Sequence, residues 1–153
     1  DNKLVTKFWK MLDKNLHDAT SERNADSTLE LDLPSGRTMR YYDLHLDNGQ
    51  VRGATQLPDS SKFGGYRYLY GGKLCENLCQ SLAREVFGYY LLKIVDKGYA
   101  VVLQIHDEVV VEVPEAQAER ACAEIKNIMS SEVEWLPHLP TAAEAKITER
   151  YEK

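Results

Sequence analysis

Cysteine is scarce in this chain, and the three present, Cys75, Cys79 and Cys122, form no C-x-x-C pair. The odd count leaves at least one thiol unpaired and fits a reducing compartment. Cys75 and Cys79 would share a helix face, but no nearby histidine completes a zinc set. Long apolar runs are also lacking. None approaches the ~20 residues a membrane helix needs, so no membrane partner is expected. The opening Asp1-Asn2-Lys3 has neither an initiator Met nor an apolar stretch. It reads as the absence of a signal peptide, and as a chain cut from something longer or processed. There is no internal repeat, no low-complexity tract and no Pro- or Gly-rich linker. Surplus positive charge is missing too: the net charge is -5 over 153 residues. That argues against a free-standing nucleic-acid binder, because phosphate contacts dominate such affinity.

The charge is unevenly spread. Residues 1–36 balance at -2, residues 37–73 at +3 and residues 74–153 at -6. The middle is locally basic inside an acidic chain. A length of 153 residues fits one domain, 1–153, and can bury a core without disulfides.

Periodicity predicts the elements. Val5, Phe8, Trp9, Leu12 and Leu16 recur at three and four, so residues 3–20 read as an amphipathic helix. Leu29–Leu33 alternates as a strand, Pro34-Ser35-Gly36 is a turn, and Arg37–Leu46 returns as a second strand. Asp47-Asn48-Gly49 is another turn, and residues 50–65 read as an exposed loop. Residues 73–97 are the longest helical signal, with Leu74, Leu78, Leu82, Val86 and Tyr90 four apart and Gly98 as the stop. Lys73, Asn77, Gln80 and Arg84 form a polar stripe on another face of this helix. Tyr99–Ile105 and Val109–Val113 are short and rich in β-branched residues, which predicts strands buried on both sides. Pro114 to about Ser131 reads as a helix, Trp135–Pro140 as a rigid connector and Thr141–Ile147 as a last strand. The fold class is α+β: an antiparallel sheet with a central β-hairpin and helices packed on one face.

His106-Asp107-Glu108 joins the two apolar strands. Tight hairpins normally turn on Asn-Gly, Asp-Gly or another glycine pair. Here two carboxylates and an imidazole occupy the tip instead. Such breaches of local turn rules are expected at functional sites. A divalent cation would give the breach a purpose, since Mg²⁺ takes hard oxygen ligands from one or two carboxylates plus substrate phosphates. A strand end would hold the carboxylate rigidly enough for in-line displacement.

These residues carry a family resemblance. VVLQIHDEVVVEVP, residues 101–114, resembles the last catalytic motif of family A DNA polymerases, the DNA polymerase I group. YLYGGKLCENLCQSLAREVFGYYLLKI is similar to the helix before that motif in phage-type members, and LPSGRTMRYY to the segment before the helix. WLPHLPTAAEAKITERYEK resembles their C-terminal ending, and VTKFWKMLDKNLHDA the helix that follows the nucleotide-binding fingers helix. The resemblance spans essentially the whole chain. It implies a C-terminal palm portion, with residues 1–72 as helix, hairpin and loop region and residues 73–153 as the helix-hairpin-helix-strand palm core.

By the same resemblance, Asp107 is a metal-binding aspartate, one of two carboxylates of a two-metal centre. Glu108 is the supporting acid, and His106 lies near the primer terminus. Gln80 matches a contact to the minor-groove side of the primer-template. Family spacing pairs it with Glu76; helical phase pairs it with Asn77. Lys73 and Arg84 extend the stripe toward phosphates. The implied cofactor is Mg²⁺. The implied partners are primer-template DNA, dNTP and the missing N-terminal polymerase portion, with self-association as a further expectation. The implied setting is the cytoplasm of a bacterial or phage-infected cell.

Two parts of the family pattern are not in this sequence. One is the earlier palm strand of the form Asp-x-Ser-x-x-Glu; the Asp26–Glu30 tract has its Ser directly after Asp. The other is the fingers helix with Arg, Lys and Tyr-Gly; Arg67 and Tyr70-Gly71 precede the wrong helix. The chain alone is therefore expected not to polymerise, because phosphoryl transfer depends on positioning and electrostatic stabilisation. Two other readings stand beside this one. One is a non-catalytic DNA-binding or assembly module derived from a polymerase. The other is a metal-dependent hydrolase using Asp107 and Glu108.

Overall fold

The computed structural model describes residues 3–21, 27–54 and 65–151. In order these form α1 (Lys3–Ser21), β1 (Leu29–Asp32), β2 (Thr38–Asp47), β3 (Gln50–Ala54), β4 (Arg67–Leu69) and α2 (Gly71–Asp96). There follow β5 (Ala100–Ile105), β6 (Glu108–Glu112), a 3₁₀ turn at Glu115–Gln117 and α3 (Ala118–Met129). All strand pairs are antiparallel, and the fold is α+β as expected. The chain divides into two compact units, Asp1–Leu82 and Ala83–Lys153, with α2 running through the division.

The first unit is a sheet of order β1-β2-β3-β4 with helices against one face. Leu12 and Leu16 of α1 and Leu74 of α2 are buried with Leu29, Tyr41, Leu44, Val51 and Leu69. Asn48 and Gly49 both have positive φ in the turn between β2 and β3, the conformation that favours Asn-Gly in tight hairpins. The expected loop over 50–65 is corrected at its start: Gln50–Ala54 is a strand, with Val51 and Ala54 buried. Its Val-Arg-Gly-Ala core is too short and mixed to show alternation, and the pairing with β2 supplies what local pattern lacks. Residues 55–64 of that loop lie outside the described residues.

In α2, a repeat of four residues on a helix of 3.6 per turn advances by about 40° per step. The apolar positions from Leu74 to Tyr90 therefore wind around the helix rather than lining one side. Leu74 belongs to the first core, whereas Val86 and Tyr90 belong to a core in the second unit with Val133. Gly98, with φ +87°, ends the helix: its N–H bonds Val95 O at 2.8 Å, and Tyr99 N–H bonds Ile94 O at 3.4 Å. This is a Schellman arrangement with glycine where a Cβ would be strained.

In the second unit, among the described residues, β5 and β6 pair only with each other. The expectation that both strands are buried on both sides is corrected. Val102 is 53% exposed and Leu103 is 41% exposed. A two-stranded ribbon has no neighbour to cover its far side and both edges. The expected strand at Thr141–Ile147 is corrected as well, since these residues have no strand structure. Polar partners anchor the segment instead. Tyr90 Oη donates to Ser131 O at 2.6 Å and lies within hydrogen-bond distance, 3.0 Å, of Thr141 Oγ1, and Ala143 N–H donates to Ser130 Oγ at 3.1 Å.

Candidate functional site

The site is built on the β5–β6 hairpin. Ile105 pairs with Glu108, so His106 and Asp107 alone make the turn. Only His106 of these two has positive φ, at +50°. That places a bulky residue where a turn of this shape favours glycine. Non-glycine residues held in such a conformation cluster at functional sites. Bonds to the partner strand on either side of the turn hold it in place.

All three side chains of the triplet are exposed. Glu108 opens β6 and accepts a hydrogen bond from Tyr151 Oη at 3.3 Å. Burial and the nearby Glu108 carboxylate both push the Tyr151 phenol up from its ordinary value. Tyr151 lies 43 residues downstream, beyond the reach of any periodic signal. Among the described residues, no group of three or more His, Cys, Asp or Glu side chains is placed to hold a metal ion. The tip nevertheless fits part of a Mg²⁺ shell. It offers two adjacent carboxylates in solvent, and that ion draws one or two from protein when phosphates fill the remainder.

The polar stripe is arranged differently from its sequence spacing. In the first unit, Lys73 Nζ pairs with Glu76 Oε2 at 2.9 Å, and Gln80 Nε2 donates to Glu76 Oε1 at 3.4 Å. Asn77 is half-buried, and its Nδ2 donates to Tyr41 Oη at 3.0 Å. Tyr41 is 1% exposed, and burial pushes its phenol up despite the Asn77 bond. The open group beside Gln80 is thus Glu76, and Asn77 is turned toward the core. In the second unit, Arg84 lies 5.8 Å from the Phe87 ring centre and faces the side-chain amide of Gln104 on β5, whose oxygen accepts from the guanidinium when the amide is turned toward it. Gln104 pairs with Val109, so Arg84 is tied to the hairpin that carries the triplet.

Among the described residues, no helix is long and apolar enough to cross a membrane. No family model matches the chain, and no solved structure matches it. The chain is 30% identical over 169 aligned residues to the DNA polymerase of Bacillus phage SP02. That match covers 99% of this chain and 26% of the phage protein. Along nearly its whole length, then, the chain is related to a DNA polymerase, of which it spans about a quarter.

Proposed function

We propose that the chain is the C-terminal palm part of a family A DNA-directed DNA polymerase, contributing Asp107 to template-directed nucleotidyl transfer. The observation that carries this reading is the His106-Asp107 turn, a carboxylate presented at a hairpin tip in a conformation disfavoured for its neighbour, in a chain related to a DNA polymerase. Asp107 would hold Mg²⁺, with Glu108 supporting the site and His106 facing the primer terminus. When bound, that cation supplies charge stabilisation for the attack of a 3′-hydroxyl on the α-phosphate as pyrophosphate leaves. Tyr151 restrains Glu108, which leaves Asp107 as the carboxylate free to turn toward the ion.

Primer-template DNA is the partner of the α2 stripe. Lys73, Gln80 and Arg84 are its contacts, and Asn77 supports it from beneath through Tyr41. Glu76 keeps Lys73 and Gln80 in place until phosphates compete for the lysine. The remaining ligands and the dNTP-binding groups come from another portion of a longer polymerase, so this chain alone does not extend primers. The bare β5–β6 ribbon is where that portion, or a second copy of the chain, would add a strand. A monodisperse monomer at high concentration by sedimentation would count against self-association. The setting is the cytoplasm of a bacterial or phage-infected cell.

The test mixes this chain with a polymerase from which the matched quarter has been deleted. Primer extension should need both pieces and disappear with Asp107→Ala. Extension that survives Asp107→Ala sinks the assignment. Stable primer-template binding by the mixture without any extension would favour the non-catalytic module instead.

A further inference from the structure

The side of the four-stranded sheet away from the core carries a row of rings that the polymerase reading leaves unused. Strand register sets His45 opposite Arg52, and Arg52 opposite Tyr68. Their strand neighbours Leu44, Val51 and Leu69 are buried in the core, so alternation turns the row the other way. Tyr66 continues it, with its ring edge-on to His45 at 5.3 Å between centroids. The Arg52 guanidinium lies 5.0 Å from the centre of the Tyr68 ring.

The row is braced. Arg52 pairs with Asp47 at 3.1 Å and donates to Tyr66 O at 3.4 Å. Tyr68 Oη donates to Asp47 Oδ2 at 3.4 Å, and Tyr66 Oη donates to Asp43. These bonds fix the rings by their polar rims. Tyr66 is 39% exposed and Tyr68 is 48% exposed. Cross-strand ring pairs do stabilise sheets, but that role would be served as well by rings folded under a cover.

The exposed rings point to the kind of partner. Residues 37–73, which include β2, β3 and β4, balance at +3 in sequence, but Arg40 pairs with Glu30, Arg52 with Asp47 and Lys73 with Glu76. Among the described residues of that segment the two carboxylates are Asp43 and Asp47, and both are engaged by the tyrosines or by Arg52. Flat rings beside a guanidinium suit stacked bases, in a chain related along nearly its whole length to a DNA polymerase. Every base has a π-face, so stacking of this kind tolerates sequence.

We propose that the outer face of β2, β3 and β4, through Tyr66, Tyr68, His45 and Arg52, is a stacking platform for the unpaired bases of single-stranded nucleic acid. The inference goes beyond the polymerase reading and does not need Asp107. Bases paired inside a duplex cannot reach such a face, so the platform selects single strands.

The experiment is fluorescence anisotropy of a labelled oligothymidine with the full chain, without divalent cation or dNTP. Its failure would thus leave the Asp107 assignment standing. The wild-type chain should bind, and a blunt duplex of equal length should not displace the label. The double variant Tyr66→Leu, Tyr68→Leu should weaken binding by roughly tenfold or more, from what stacking on an aromatic ring contributes per base. It removes no cation, so the slope of log affinity against log salt should stay the same. Tyr68→Phe keeps the ring, loses only the Asp47 bond and should bind like wild type. Far-UV circular dichroism confirms that each variant is folded. The proposal is overturned by no binding of the wild-type chain, by a folded double variant that binds as tightly, or by equal displacement with duplex.

Discussion

His106 holds a left-handed backbone that costs a non-glycine residue about 1–2 kcal/mol. Replacing it by glycine should relieve part of that cost, whereas a β-branched residue should add to it. His106→Gly is therefore expected to raise unfolding stability by up to about 1 kcal/mol, and His106→Val to lower it. Urea titration of the chain checks both signs; equal losses for the two variants would show that the turn is not strained. The same His106→Gly change should cost primer extension in a completed polymerase, since it frees the turn that presents Asp107. The hairpin turn at His106-Asp107 was legible in the sequence, because two short β-branched runs flank it. Tyr151 was not, because a contact 43 residues away leaves no trace in spacing. That Asn77 turns inward while Glu76 stays exposed could not be read from helical phase. It depended on Tyr41, a strand residue whose hydroxyl draws Asn77 inward.

At the scale of elements, the start of α2 is fixed by α1. Asp13 Oδ1 accepts from Gly71 N–H at 2.8 Å, so a side chain of one helix caps the first residue of the other. A Cβ at Gly71 would overlap the Trp9 carbonyl. Asp13→Ala should cost about 1 kcal/mol, in the range of lost helix caps. Gly71→Ala should cost about 1–3 kcal/mol, because backbone and not a flexible side chain blocks the methyl. Thermal unfolding monitored by circular dichroism measures both; a neutral Gly71→Ala would contradict the close approach. In the second unit, Tyr99 Oη donates to Glu124 at 2.6 Å and Lys97 lies 3.5 Å from the same carboxylate. These hold Glu124 below its ordinary 4.5, the Tyr99 bond first. A lowered folded value means that the contribution is present above pH 4.5 and lost as pH falls through the folded value. Glu124→Gln should therefore flatten the acid side of a plot of urea midpoint against pH, and an unchanged acid limb would count against the bond. Helices were read nearly to their ends, because period and the Gly98 stop agree. Strand β3 and the Thr141–Ile147 segment were misread because partners, not local pattern, decide them: β2 recruits the one, while Tyr90 and Ser130 hold the other out of a sheet.

At the scale of the molecule, the described residues form a core in each unit, and in the second unit Val102 and Leu103 of a two-stranded ribbon are exposed. Periodicity foresaw the strands but placed them in a larger sheet, since β-branched runs look the same whether their cover comes from this chain or from another. The relationship to a polymerase about four times as long supplies a candidate for that cover. The most direct measurement uses a chimera in which this chain replaces the matched quarter of the phage SP02 DNA polymerase. Single-turnover primer extension in Mg²⁺ is then compared for the parent chimera, Glu108→Gln and Asp107→Ala. The expected result is extension by the parent, a modest loss with Glu108→Gln, and a loss of roughly a thousandfold or more with Asp107→Ala, with primer-template affinity preserved. Extension at the parent rate by the Asp107→Ala chimera would contradict the assignment of Asp107 as a metal-binding carboxylate.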